Sequence, residues 1–278
     1  MLDFDDPRLA APAEKPAALA RIGMPNTPFV MVHEDRAERV STGLFGEPVE
    51  VYSERDGFVL ARHSHDHYVG WVKKTTLMQD GSSTHRIRVP LTYGFSSSNI
   101  KSAPQTTLFL NSLVTVKSTE NKLTECDGIG WVPEHHLAPI DQFIDDPSEL
   151  AVGFFGTPYL WGGCSAIGLD CSGLTQMVFA AAGIQLPRDA DMQFAWSGEP
   201  VADWQDTGAL QRNDLVFWKG HVGIMLDSET FLHANAHHMS VAHETLADAI
   251  KRIGETYGDP IGAKRISLTD KSRPAWLG

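Results

Sequence analysis

The 278-residue chain is poor in cysteine, with three in all, Cys126, Cys164 and Cys171. An odd and sparse set of this kind is not a disulfide framework. Pairing of Cys164 with Cys171 would block a nucleophile at the second position, so a reducing compartment is expected. No run of 18 apolar residues occurs, which excludes a transmembrane helix of ordinary length. The start, M-L-D-F-D-D-P-R-L-A-A-P-A-E-K-P, has early acids and no apolar core, so it is not read as a secretory leader and a cytoplasmic location is expected. Basic residues are outnumbered, 23 Lys and Arg against 35 Asp and Glu, for a formal net charge of −12. That balance argues against nucleic acid and anionic membranes as partners. Nucleotide-binding glycine patterns are missing too: G-T-P-Y-L-W-G-G has neither the Lys-Ser/Thr of a phosphate loop nor G-x-G-x-x-G spacing. No cofactor is expected.

What is present divides the chain into regions. Residues 1–28, rich in Pro and Ala, read as an extended arm with a short helix around 15–22. Residues 29–80 hold short alternating apolar pieces, F-V-M-V, P-V-E-V-Y, G-F-V-L-A-R and Y-V-G-W-V, the signature of a small antiparallel barrel. Residues 85–140 repeat the plan with I-R-V-P-L, T-L-F-L-N, L-V-T-V and G-I-G-W-V. Gly70-Trp71-Val72 and Gly130-Trp131-Val132 close the two stretches 60 residues apart, which points to an internal repeat. The Ser- and Asn-rich stretch 92–106 reads as an insertion. After a linker at 141–149, helix and strand periods mix in one α+β domain over 141–268, and 269–278 reads as a tail. Helices are expected at 149–155, 170–182 and 245–253.

The stretch 159–183, Y-L-W-G-G-C-S-A-I-G-L-D-C-S-G-L-T-Q-M-V-F-A-A-A-G, carries the chemistry. Leu174, Met177, Val178 and Ala181 recur at helical spacing, Asp170 stands as N-cap and Gly183 as stop. Cys171 then lies in the first turn, where unpaired amides and the helix dipole should lower its thiol pKa. Gly162, Gly163 and Gly168 would let the backbone approach a substrate. A thiol nucleophile needs a base, and the base an orienting group. L-V-F-W and H-V-G-I-M-L, joined by Lys219-Gly220, form a hairpin. If the next turn is Asp227-Ser228-Glu229, Gly223 pairs with His233 and His221 with Asn235. His221 and His233 then become diagonal neighbours on one face, with rings able to face a helix N-terminus there. Cys171 as nucleophile, His221 as base and His233 as orienter fit this register, and Asn235 competes for the third role. His63-Ser64-His65-Asp66-His67 lacks the H-x-H-x-D-H spacing of metallo-hydrolases, so a solvated strand end is expected there and no metal site.

Together these segments resemble the NlpC/P60 cysteine peptidases, papain-like enzymes of bacterial cell-wall metabolism. The matching pieces are P-Y-L-W-G-G, L-D-C-S-G-L-T-Q, A-A-G-I-Q-L-P-R-D-A-D-M-Q, N-D-L-V-F-W, H-V-G-I-M and F-L-H-A. Asn213 stands where the family usually has Gly, a departure expected to alter a turn only. The two G-W-V units resemble bacterial SH3 domains, and the combination is similar to the dipeptidyl-peptidase VI branch, the γ-D-glutamyl-L-diamino acid endopeptidases. The resemblance implies two small all-β SH3-like barrels followed by an α+β papain-like catalytic domain. It implies cleavage between γ-D-glutamate and the diamino acid of murein peptides with a free N-terminal L-Ala. It assigns the same roles to Cys171, His221 and His233, and it places the L-Ala ammonium on Asp170, Ser172 and Asp189, with Tyr68 and more weakly Glu47 from the first barrel. Arg188 would meet a substrate carboxylate or brace Asp189. The Cys171 amide, with Tyr159 as second donor or merely a buried aromatic, would hold the oxyanion. A cleft closed by the first barrel would restrict the enzyme to free peptides, hence murein recycling. The alternatives are a cysteine acyltransferase on the same scaffold, an endopeptidase acting on intact wall, and a non-catalytic wall-binding protein.

Overall fold

The computed structural model describes residues 4–206 and 208–278. It divides into two compact units, one of residues 5–143, the other of 144–278 with Phe4. The first three residues of the expected arm lie outside the described residues.

The first unit is all β. Its first half is a seven-stranded antiparallel sheet in the order Arg39–Leu44, Asn26–Val30, Val69–Lys73, Phe58–His63, Pro48–Arg55, Ala18–Ile22, Leu77–Gln79. Alternation in these strands turns Ile22, Phe29, Val49, Val59, Ala61 and Val72 into a common core. The helix expected near 15–22 does not form. Ala18–Ile22 is a strand paired with both Pro48–Arg55 and Leu77–Gln79, because Ile22 is worth more in the barrel core than in an isolated helical turn. The second half has a five-stranded and a three-stranded sheet around Ile87, Leu108, Val114, Cys126, Ile129, Val132 and Leu137. The stretch 92–106 is not an inserted loop throughout. Leu91–Phe95 and Pro104–Phe109 are paired strands, and only the residues between them form the connection. Both G-W-V strands run into a 3₁₀ turn, Lys74–Thr76 or Glu134–His136, and then a short strand.

The second unit is a six-stranded antiparallel sheet with four helices. Its strand order is Glu199–Pro200, Gly262–Arg265, Leu215–Trp218, His221–Met225, Thr230–Asn235, Ser240–Thr245. Helix α1 spans Pro147–Val152, α2 Cys171–Ala181, α3 Ala190–Trp196 and α4 Leu246–Tyr257. Helix α2 packs on the strands His221–Met225 and Thr230–Asn235. It is buried almost all round, and Leu174, Val178 and Phe179 are fully enclosed. Truncating any one of them to Ala should cost about 2–5 kcal/mol. Asp170 caps α2 by accepting the Gly173 N–H at 2.7 Å, and Gly183 leaves it with φ of 82°. Helix α4 is amphipathic; its Leu246, Ala249 and Ile253 pack with Val216, Trp218, Met225 and Phe231 of the sheet.

Asn213 takes φ of 74°, the left-handed conformation that glycine would supply, and its Oδ1 accepts the Ser148 N–H at the start of α1. The exchange of Gly for Asn therefore adds a bond between loop and helix. The last residues are not a loose tail: Trp276 and Leu277 are buried, with Trp276 stacked on Trp196 at 6.4 Å.

Candidate active site

The hairpin positions the imidazoles. Trp218 pairs with His221 across Lys219-Gly220, and Gly220 has φ of 75°. On the other side Ile224 pairs with Leu232 and Met225 with Phe231, while Leu226 N–H donates to Thr230 at 2.8 Å. This register makes His221 and His233 diagonal neighbours on one face. Their rings meet at 2.8 Å, His221 Nε2 to His233 Nδ1. Gly223, opposite His233, is required between them: a Cβ there would stand 2.8 Å from the His233 Cβ and 2.3 Å from the Phe231 ring. Asn235 does not compete for His221. Its Oδ1 accepts the His238 N–H at 2.8 Å and lies 3.0 Å from His238 Nδ1, within the following turn.

Trp218 and Phe231, beside the imidazoles, pack with Leu246, Ala249 and Ile253 of α4, while the cysteine-bearing helix α2 packs on the two strands that carry His221 and His233. Cys171 meets the His221–Met225 strand through its backbone, for the sulfur receives the N–H of Val222, the residue after His221, and that of Ser172. The expected low thiol pKa is not found. Burial, reinforced by the Asp170 charge, outweighs both amides and pushes the Cys171 thiol up to about 12. Burial, aided by the neighbouring His233 and Arg252, pushes His221 down to about 3. Both shifts favour an uncharged thiol and an uncharged imidazole at rest.

Asp170 is enclosed. Its Oδ2 accepts from Gly162 N–H at 2.8 Å and Arg188 Nη2 at 2.5 Å, and its Oδ1 from Gly173 N–H at 2.7 Å and Arg188 Nη1 at 3.0 Å. Ser172 Oγ lies 3.0 Å from Arg188 Nη1 and 3.4 Å from Asp170 Oδ1. Arg188 has no exposed surface and is already engaged by Asp170, which leaves it poorly placed to meet a substrate carboxylate; it braces Asp170, and the Asp189 charge also acts on it. A carboxylate already taking a bidentate guanidinium and two amides is poorly suited to an added ammonium. Asp189, half-buried at the N-cap of α3, makes no side-chain cap bond. Tyr159 is half-buried; burial first, then the nearby Cys171 and Asp170 charges, raise its hydroxyl pKa. Gly163 and Gly168 sit in close packing, and Gly162 takes φ of 71°. A Cβ on Gly163 would lie 2.4 Å from the Gly168 carbonyl, and one on Gly173 would lie 2.2 Å from that of Gly163.

Tyr68 and Glu47 belong to the first unit. Tyr68 is buried and follows a tight turn in which its N–H donates to Asp66. Glu47 accepts the Leu44 N–H at 2.8 Å, and burial raises its carboxyl to about 7. The His-rich stretch is not a solvated strand end: His63 is fully enclosed, stacked on Phe29 at 3.9 Å, and Asp66 is 1% exposed. Donor atoms of Glu47, His63 and His65 all lie within 4.8 Å of one another, a spacing at which these three could hold a cation.

Sequence reasoning missed Glu244. On Ser240–Thr245, Ala242 pairs with His233 and Glu244 with Phe231, so Glu244 continues the diagonal on the same face. Its Oε1 lies 2.8 Å from His233 Nε2 and also takes Arg252 Nη2 of α4. The available signal was an acid in V-A-H-E-T at the parity that faces His233.

A thiol at a helix start beside a strand that bears two hydrogen-bonded imidazoles defines a thiol-dependent hydrolase site. Residues 156–253 match the NlpC/P60 family, and residues 33–77 match the bacterial dipeptidyl-peptidase SH3 domain. The chain therefore carries an NlpC/P60 cysteine peptidase domain with a bacterial SH3 domain ahead of it. It is similar to the γ-D-glutamyl-L-lysine dipeptidyl-peptidase of Bacillus subtilis, with 29% identity over 230 residues covering 74% of this chain and 76% of that one. It is similar also to dipeptidyl-peptidase 6 of Lysinibacillus sphaericus, 26% identical over 223 residues covering 72% and 81%. Among solved structures, an NlpC/P60 family protein from Bacillus cereus superimposes with a TM-score of 0.75 at 18% identity, over 89% of this chain and 99% of that one, which shows the shared fold.

Proposed function

We propose that this hydrolase of peptidoglycan peptides cuts the bond between γ-D-glutamate and the diamino acid in murein peptides with a free N-terminal L-Ala. The hydrogen-bonded line of His221 and His233, beside a thiol at the start of α2, carries the reading. The names of the two relatives support the bond and the peptide class. In this scheme the Cys171 sulfur attacks the scissile carbonyl and its proton passes to His221 Nδ1. The uncharged resting pair makes that transfer part of the attack rather than a prior equilibrium. The Cys171 amide, with the Tyr159 hydroxyl as second donor, faces the developing oxyanion. His221 returns the proton to the leaving amine, and a thioester joins Cys171 to the L-Ala-γ-D-Glu moiety. Water, deprotonated by His221, then releases the dipeptide.

The ammonium of L-Ala is assigned to Asp189. Asp170 and Ser172 hold the loop around the nucleophile, and Arg188 acts through Asp170. Residues 85–140 are read as a second SH3-like barrel, on the strength of the repeated G-W-V strand, 3₁₀ turn and strand. A cytoplasmic role on released fragments fits a chain with only three cysteines, an odd and sparse set that makes no disulfide framework. Among the described residues no helix is long and apolar enough to cross a membrane.

Mass spectrometry of L-Ala-γ-D-Glu-meso-diaminopimelate incubated with the reduced protein tests the proposal. L-Ala-D-Glu and free diaminopimelate are expected. Cys171→Ala should remove this activity without changing the unfolding temperature, and acetylation of the L-Ala amine should remove most of the rate. Cleavage of intact sacculi but not of the tripeptide would refute the recycling role.

A further inference from the structure

We infer that Glu244 is a positioning residue of this reaction: its carboxylate fixes which nitrogens of His233 and His221 carry hydrogen, and so leaves His221 Nδ1 bare to take the Cys171 proton. The inference rests on the roles proposed above for Cys171, His221 and His233. Glu244, His233 and His221 form a straight diagonal across three adjacent strands, one residue from each, with two contacts of 2.8 Å. The order of hydrogens along that line follows from its acidic end.

Burial alone would raise the Glu244 carboxyl, but hydrogen bonds from His233 and Arg252 outweigh it and hold it at about 2. An ionised carboxylate only accepts. His233 Nε2 must therefore be the N–H. His233 is kept neutral by burial, so its Nδ1 offers a lone pair. His221 Nε2, 2.8 Å away, must then donate, and a neutral His221 has no hydrogen on Nδ1. Reversing the line would place hydrogen on His221 Nδ1 and disable the base. During attack the thiol proton joins Nδ1, Nε2–H stays on His233, and no proton moves beyond His221. The charged and titratable groups facing His233 are Glu244, Arg252 of α4, His238 and His221. His238 Nδ1 is held by Asn235, and Arg252 serves to keep Glu244 ionised and in place.

The test uses the full chain and the tripeptide substrate. Glu244→Ala should lower kcat by about 10–100-fold, the usual cost of losing an orienting partner, with KM unchanged because Glu244 touches no substrate. Glu244→Gln, which keeps an acceptor oxygen, should lose less. In both variants the acid limb of kcat/KM should move to lower pH by roughly half a unit, since an imidazolium loses a nearby anion. Nitrogen-15 spectra of histidine-labelled protein should show His221 with hydrogen on Nε2 in the wild type and a mixture in Glu244→Ala. Wild-type kcat and an unmoved acid limb in both variants would overturn the inference, provided His221→Ala is inactive. An active His221→Ala would instead overturn the underlying assignment of the base. Should Glu244→Ala not fold, Glu244→Gln and the wild-type spectrum decide: hydrogen on His221 Nδ1 refutes the proposal.

Discussion

Replacing Arg188 by Met tests whether the wall behind the nucleophile is an ion pair or only a packed loop. The substitution keeps most of the side-chain volume and removes the guanidinium. Asp170, 5% exposed, would keep its two amide donors and lose its two contacts with Arg188, at 2.5 and 3.0 Å, while Ser172 Oγ would lose one at 3.0 Å. Removing one partner of a buried pair costs about 3–5 kcal/mol, and the surviving amides place this case near about 3. For a unit of this size that lowers the unfolding temperature by roughly 10 °C. Arg188→Lys should recover only part, because a single ammonium cannot bridge both carboxylate oxygens. The decisive comparison is Asp170→Asn with Arg188→Met, followed by calorimetry of the full chain. Removing the stranded charge should make the double variant more stable than Arg188→Met alone by about 1 kcal/mol or more. A double variant whose loss equals the sum of the two single losses would refute the coupling. Arg188→Met shifting the unfolding temperature by only a degree or two would refute the charge argument itself.

Gly223→Ala should destabilise the second unit by about 1–3 kcal/mol and lower kcat, because its methyl displaces Phe231 and His233; a variant with normal kcat would mean the ring pair tolerates the shift. The folded-state pKa of His221, about 3, lies below its unfolded value, so the unfolded chain binds the extra proton. Stability of the second unit should thus be complete above about pH 6.5 and fall towards pH 3, by at most ~1.4 kcal/mol per pH unit for this group. Urea unfolding at a series of pH values checks the slope, which His221→Asn should flatten. Glu47 has the opposite sign. Its folded value of about 7 exceeds the unfolded one, so stability present below about pH 4.5 is lost as pH rises through 7. Glu47→Gln should therefore stabilise the first unit at pH 8 and not at pH 4.5; equal effects at both would exclude titration of Glu47. Asn213→Gly should lose the Ser148 bond at a cost of about 1 kcal/mol, and Asn213→Ala more, since it also strains φ of 74°.

Local signals carried much of this unit. The Asp170 cap, the spacing of Leu174 to Ala181, the Lys219-Gly220 turn and the three-residue turn at 227–229 fixed the register that brings His221 to His233. They failed where environment outweighs local pattern. The helix-start argument for an acidic Cys171 thiol counts amides and dipole but not enclosure, and enclosure is the larger effect. Arg188 and Asp189 are adjacent in sequence, yet the buried partner of Arg188 lies 18 residues away. Glu244 comes from a strand whose pairing with 230–235 no short motif announces. Ala18–Ile22 and the C-terminal Trp276 read as loose ends because their partners are distant strands and a tryptophan 80 residues earlier.

The enclosure of Cys171 has a consequence for anyone looking for this enzyme by its chemistry. A thiol held at about 12 carries almost no thiolate at neutral pH, and the higher nucleophilicity of each anion offsets only part of that deficit. Together these make trapping by iodoacetamide roughly a hundredfold slower than for an ordinary exposed cysteine. Electrophilic probes that profile cysteine proteases by resting reactivity would pass this protein over. A probe shaped like its peptide, which carries the carbonyl to the sulfur and lets His221 remove the proton, would label it.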